Sequence, residues 1–452
     1  MDFDTRYAKL NANQRQAVDY IHGSLLVIAG PGTGKTELLS MRTAQILRQT
    51  DTLPDSILCL TFTESGAANM RQRLRQIIGE DAYKIAIHTF HSFGTEIINQ
   101  HRQYFFRGAD SQPADELAQH QIVTEILEGL DWRNPLSAKN NGEFVYTSEL
   151  IRVISEFKQS GLTPAELRLV MADNQCVIAG IAPDIQQVFA AKISKKTIEL
   201  FAPLAEKIAG RVGEGGITEL SGNTASSAPR HAAPSAALPS SITPYAQVLA
   251  LSIAHAAQEA IDANSTKPLT AWKNKWCEKN AAGEFVLKDF TASEKLSAAI
   301  DVYEKYGEIM AERSLFDYDD MILSVIQACE THPELRANLQ EQFQFIMVDE
   351  FQDTNLAQLR LLFDLTGDED NPNIMAVGDD DQAIFSFQGA DVGNIQRFRQ
   401  HYHDPKIIVL TDNYRSAADI LTAARGVITQ GTDRLENTID GLSKQLTAHA
   451  SG

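Results

Sequence analysis

The sequence predicts an α/β protein organised on a parallel sheet, and three observations carry that prediction. Six short apolar runs recur toward the two ends of the chain: LLVIA (25–29), SILCLTF (56–62), KIAIHTF (84–90), FQFIMVDE (343–350), NIMAVGD (373–379) and KIIVLT (406–411). Most are followed by segments with helical apolar spacing. Strands that alternate with helices and stay apolar along their length belong to a parallel sheet covered on both faces. The distinctive polar residues sit at the carboxyl ends of these runs: a glycine-rich loop after the first, Thr61-Phe62-Thr63 after the second, then Asp349-Glu350 and Gly378-Asp379. Open α/β sheets bind their ligands at that edge.

The first run leads into AGPGTGKT, with Gly30, Gly34, Lys35 and Thr36 in the spacing Gly-x-x-x-x-Gly-Lys-Thr. Glycines let the backbone curl so that successive N–H groups approach phosphate oxygens, and the following helix aims its positive end at the same anion. Lys35 can then reach the β- and γ-phosphates while the Thr36 hydroxyl ligates Mg²⁺. A phosphate site of this kind needs carboxylates, and FQFIMVDEFQDT (343–354) supplies them at the end of an apolar strand. Asp349 is placed to hold Mg²⁺, and Glu350 to orient and deprotonate an attacking water.

Between residues 100 and 310 the pattern turns helical, as in EILEGL, ELIRVISEF and SEKLSAAIDVYEKY, so a helical domain interrupts the α/β domain. Inside it, SGNTASSAPRHAAPSAALPSSITP (221–244) is dominated by Ser, Ala and Pro. Such a stretch buries too little apolar surface to offset the cost of ordering and is expected to be flexible. TAWKNKWCEKN (270–280) reads as the edge of an amphipathic helix, with a strand-binding patch as the alternative. Arg71, Arg73 and Arg75 read as a solvated helix face.

A chain of 452 residues has room for two or three domains, and 43% apolar with 22% charged residues is ordinary for a globular protein. Cys59, Cys176, Cys277 and Cys329 lie far apart with no Cys-x-x-Cys pair, which points to a reducing compartment rather than to zinc or a disulfide framework. The polar, acidic start carries no signal peptide and no run approaches a membrane span, so a cytoplasmic location is expected. Forty Lys and Arg against 59 Asp and Glu give a net charge of −19. That excludes nucleic-acid binding through the overall field and leaves only a local groove.

The motifs taken together carry a resemblance. VDEFQDT, AGPGTGKT, LTFTESGAANMRQRL (60–74), TFHSFG (89–94), VGDDDQAIFSFQGA (377–390) and LTDNYRS (410–416) resemble, in letters and order, the UvrD/Rep family of superfamily-one DNA helicases. LNANQRQAV (10–18) resembles that family's adenine-reading segment, and FDYDDMI (316–322) the element where its chain re-enters the first motor lobe. The resemblance covers about residues 8–105 and 312–430.

It implies a motor of two RecA-like lobes, using ATP and Mg²⁺ to move 3′→5′ on single-stranded DNA and unwind duplex. The layout it implies is a first lobe at 1–105 and 312–404, an inserted helical domain at 106–311 with its flexible segment at about 212–244, and the start of a second lobe at 405–452. By the same resemblance Gln14 reads the adenine edge and Tyr414 packs on its ring, while Gly30, Pro31, Gly32, Thr33, Gly34, Lys35 and Thr36 hold the phosphates. Gln382 couples the γ-phosphate to DNA, and Arg415 reaches that phosphate from the second lobe. Phe62, Thr63, His91 and Phe387 fall at DNA-contacting positions, where stacking grips any base because every base has a π-face.

The implied partners are single-stranded and tailed duplex DNA, with repair or recombination proteins as candidates. Two alternatives remain: the helicase subunit of a recombination helicase–nuclease, and a non-catalytic nucleotide-gated DNA-binding module. Departures from the family pattern are Phe387-Gln388 where tryptophan and arginine are usual, Glu37 where arginine is common, and Ser65 where lysine is common. The chain continues only briefly past Tyr414, so an incomplete motor is expected, with few contacts holding the tail after Ser416.

Overall fold

A computed structural model describes residues 3–105, 112–190, 192–210, 244–288, 294–367, 371–384, 393–403, 405–431, 434–439 and 441–449. The Ser/Ala/Pro segment, except Pro244, and Phe387 lie outside the described residues. The chain forms two compact units, one of Met1–Gln119, Ser155–Gly161 and Ile309–Gly452, the other of His120–Ile154 and Leu162–Glu308.

The first unit holds a six-stranded sheet: β1 (Leu25–Ala29), β2 (Ile57–Thr61), β3 (Ala86–Thr89), β4 (Phe345–Val348), β5 (Ile374–Gly378) and β6 (Lys406–Leu410). Their order is β6-β1-β5-β4-β2-β3, and every pairing is parallel. Each apolar run of the sequence thus becomes one strand. The runs show no polar alternation because each strand feeds two cores. Leu26, Ile28, Leu58, Leu60, Ile346 and Val348 enter one, whereas Leu25, Val27, Ile57, Cys59, Phe345 and Met347 enter the other. Burial pushes the Cys59 thiol up to about 12, so it behaves as an inert apolar group.

Two expected boundaries shift. The strand at 406–410, expected to open a second lobe, is the edge of this same sheet: it pairs with β1 from Leu25↔Lys406 to Ala29↔Leu410. An apolar strand run does not say which sheet will pair its backbone, and the open side of β1 takes this one. The chain then folds back. Asp412–Asn413 pairs in parallel with Thr447–Ala448, and between them the helix Ala418–Ile428 buries none of its residues.

The second shift is Ser155–Gly161, expected within the insertion but packed with the first unit. Lys158 is buried there between Asp317 (2.6 Å) and Asp320 (2.5 Å). Gly161, at φ +71°, backs onto Ala357, whose Cα would lie 3.0 Å from any Cβ placed on the glycine. That position requires glycine on both counts.

The second unit is mainly helical, as expected. Pro164–Ala190, Phe201–Ala209, Tyr245–Asp262 and Lys267–Trp276 enclose a core that includes Ile181, Phe189, Phe201, Leu249 and Trp272. Trp272 is buried, its ring parallel to Phe189 and its Nε1–H donating to Ser252 Oγ at 2.9 Å. TAWKNKW is therefore a helix that faces the core through Trp272. Among the described residues no helix is long and apolar enough to cross a membrane.

Candidate functional site

The turn after β1 is a phosphate-type loop. Gly32 and Gly34 hold φ of +73° and +87°, and a Cβ on Gly32 would meet Arg415 Cβ and Asn413 Nδ2 at 2.7 Å. Gly34 opens the helix Lys35–Gln49 without a side-chain cap, leaving its first N–H groups for an anion. The loop is braced from two directions. Buried Gln14 donates from Nε2 to the Thr33 carbonyl (2.9 Å) and accepts from the Asn11 N–H (3.1 Å). Asn413 donates to the Pro31 carbonyl (2.5 Å), and the Tyr414 N–H to the Gly32 carbonyl (3.0 Å).

The acidic half converges on the same place. Lys35 Nζ forms an ion pair with Glu350 and lies 3.5 Å from Gln382 Oε1. Glu350 adopts a left-handed φ of +49°, which for a residue without the freedom of glycine is a strained turn. Gln352 donates to Glu350 Oε2 (3.0 Å) and Asp353 Oδ2 (3.1 Å), and its Oε1 accepts from the Asp379 N–H (3.0 Å). Gln382 Nε2 donates to Asp379 Oδ2 at 2.7 Å. Burial first, then the neighbouring Glu350 charge, push the Asp349 carboxyl up to about 6 against the pull of Lys35. A carboxylate so destabilised gains from a divalent cation, so the donor set of Asp349 and the Thr36 hydroxyl fits Mg²⁺.

Arg415 and Tyr414 stand where β6 puts them. Because β6 neighbours β1, the turn after it falls beside the phosphate loop, and Arg415 is exposed against Gly32 in the same unit. It was expected to reach in from a second lobe; within these residues it needs none. The Tyr414 hydroxyl accepts from Asn11 Nδ2 (3.1 Å), and its ring stacks on His449 with centroids 5.3 Å apart. Glu37, the departure from the family pattern, accepts from Arg6 (2.8 Å) and Arg73 (3.2 Å). Arg73 is thus tied down rather than simply solvated, as is Arg71, which donates to the Ile87 carbonyl (2.9 Å).

A second cavity, of about 380 Å³, opens beside β2 and is lined by Phe62, His91, Gln159, Tyr318, Asp353 and Gln358 among others. Phe62 and His91, both expected to touch DNA, therefore line one cavity. Thr63 is instead the N-cap of the helix Glu64–Ile78, its Oγ1 accepting from the Gly66 N–H (3.0 Å). Phe387 falls outside the described residues. Burial lowers the His91 pKa, with Asp319 opposing, so the ring is neutral near pH 7 and offers stacking and hydrogen bonds rather than charge. Sequence reasoning missed Tyr318, 68% exposed with its ring edge-on to His91, although FDYDDMI contains it. It also missed Gln159, whose only signal lay in the insertion.

A family model described as the UvrD/REP helicase N-terminal domain matches residues 10–208 and 219–403. DNA helicase II of Rickettsia typhi is 26% identical over 439 residues, covering 95% of this chain and 46% of that protein. ATP-dependent DNA helicase PcrA of Staphylococcus epidermidis is 25% identical over 425 residues, covering 94% of this chain and 40% of that protein. PcrA of Staphylococcus aureus is 26% identical over the same length, with the same shares. The chain spans less than half the length of these relatives.

Proposed function

Since the chain belongs to the UvrD/REP helicase family, we propose that it is the nucleotide-hydrolysing portion of an ATP-dependent DNA helicase. The observation that carries this reading is the contact of Lys35 with Glu350 across the phosphate loop, with Gln382 beside them. A triphosphate entering the loop draws Lys35 onto its β- and γ-oxygens and so releases Glu350. Gln352 keeps the freed carboxylate oriented. Water then attacks the γ-phosphorus, Glu350 takes its proton, and the bond to the β–γ bridging oxygen breaks, leaving its electron pair on ADP. Thr36 and Asp349 would hold Mg²⁺, which supplies charge neutralisation at the phosphates. Exposed Arg415, beside Gly32, is suited to meeting the charge that develops on the transferred group.

The Phe62–His91–Tyr318 cavity is read as a base-stacking point for single-stranded DNA. Coupling to 3′→5′ movement and unwinding follows from the family, and a cytoplasmic place among repair or recombination proteins goes with it. A non-catalytic nucleotide-gated clamp is the rival, and the intact pairing of Lys35 with Glu350 favours hydrolysis over it. The test is a pair of variants. Glu350→Gln is expected to bind Mg·ATP like the parent yet hydrolyse it slowly, whereas Asp349→Asn raises the Mg²⁺ requirement. Identical behaviour of the two would overturn this division of roles.

A further inference from the structure

The tail, expected to be loosely held, reaches into the nucleotide site. Lys444 is 5% exposed, and its Nζ lies 2.5 Å from Asp379, 2.6 Å from Asp380 and 2.8 Å from Asp381. Arg434 adds a fork onto Asp381, with Nε and Nη2 each at 2.7 Å. The Leu435 N–H donates to Asp380 Oδ2 at 2.9 Å, and Leu446 packs against Gly30. Three adjacent carboxylates at the end of β5 repel one another and are expensive to bury, so without cations from elsewhere in the chain they would not share this turn.

Asp379 is the residue through which this matters. One of its oxygens takes Lys444; the other accepts from Gln382 Nε2, and Gln382 Oε1 faces Lys35 Nζ. Asp379 thus bridges Lys444 and the Gln382 amide. Removing that cation would leave Asp379 Oδ1 uncompensated and able to compete for the Gln382 amide, shifting it relative to Lys35.

We propose that Lys444 is a positioning residue of the nucleotide site: through Asp379 it sets the side chain of Gln382, and with it the preference for a nucleoside triphosphate over the diphosphate. This rests on the nucleotide reading above. Gln382 is the group that would meet the γ-phosphate, beside Lys35, so losing Lys444 weakens triphosphate binding and spares diphosphate binding.

Equilibrium binding of fluorescent, non-hydrolysable Mg·ATP analogue and of Mg·ADP to the whole chain tests this without requiring turnover. Lys444→Met is expected to lower the triphosphate-to-diphosphate affinity ratio about fivefold, the size of one lost hydrogen bond, with Mg·ADP affinity nearly unchanged. Lys444→Arg, which keeps the cation, is expected to restore most of the ratio. Because Met leaves three carboxylates facing one another, Lys444→Met/Asp380→Asn is measured beside it, with thermal melting as the check on folding. An unchanged ratio in either folded variant overturns the proposal, and so does unfolding of both, which would make Lys444 a structural strut. Lys35→Ala in the same assay separates the two readings. If it binds both nucleotides like the parent, the nucleotide site itself is misassigned; if it loses both while the Lys444 ratio stays fixed, only the positioning role falls.

Discussion

The two units of this chain differ in what they bury. In the helical unit, buried polarity among the described residues is confined to Thr147 and groups such as the Tyr303 hydroxyl, and its core is Ala, Leu, Ile, Val, Phe and Trp with Cys277. The sheet-bearing unit buries Gln14, Lys158, Gln352, Asp353, Arg360, Asp379, Asp380, Arg434 and Lys444, each tied to partners by hydrogen bonds or ion pairs. An apolar core tolerates exchange of similar shapes and is held by area alone. A buried polar network is fixed by geometry and fails when one member is removed, because its partners are left charged or unpaired. Chemistry therefore concentrates in one unit, and the other is read as a scaffold.

That contrast can be broken at four points. The largest effect is expected at Lys158: Lys158→Ala leaves Asp317 and Asp320 without their cation and should cost about 3–5 kcal/mol, read as a lower urea midpoint. A midpoint near that of the parent would mean that buried polarity is as dispensable here as surface charge. Next comes Lys35→Ala, expected to cut ATP turnover at least about 100-fold, since it removes the donor to the phosphates, with little change in melting because its partner Glu350 is partly exposed to solvent. Retained turnover would move catalysis elsewhere. Phe62→Ala is smaller: a loss of about 1–3 kcal/mol in single-strand affinity by fluorescence anisotropy, similar for every base composition. If the variant melts early but binds DNA normally, Phe62 is packing. The smallest effect belongs to the helical unit. Arg168→Ala breaks exposed pairs with Asp301 (2.8 Å) and Glu304 (2.7 Å) and should leave the denaturation midpoint where it was.

What could be read from the sequence follows the same division. The strands were legible because both faces of each are covered, which writes an unbroken apolar run, and the phosphate loop was legible because its chemistry is local. The placement of KIIVL was not, since any sheet with an open parallel edge would accept it. Nor was Lys444: a single lysine in a polar tail looks solvated until Asp379, Asp380 and Asp381 are seen beneath it. Glu37 stood out as a departure, but its partners Arg6 and Arg73 come from two other helices, and nothing in the intervening sequence announces them. TAWKNKWCEKN was read as the edge of an amphipathic helix, and the burial of Trp272 in the helical core shows which side of that helix is apolar.

Lys35 and Glu350 are paired across the loop. A phosphate loop with its lysine uncompensated would attract any small anion that diffused by. Here a carboxylate already sits in the seat, and a newcomer must bring enough negative charge to displace it and still come out ahead. Inorganic phosphate or an acidic side chain offers little more than Glu350 does; a polyphosphate that also fills the helix N-terminus offers much more. On the proposed reading, the pair would set an admission threshold by ligand charge, ahead of any contact with base or sugar.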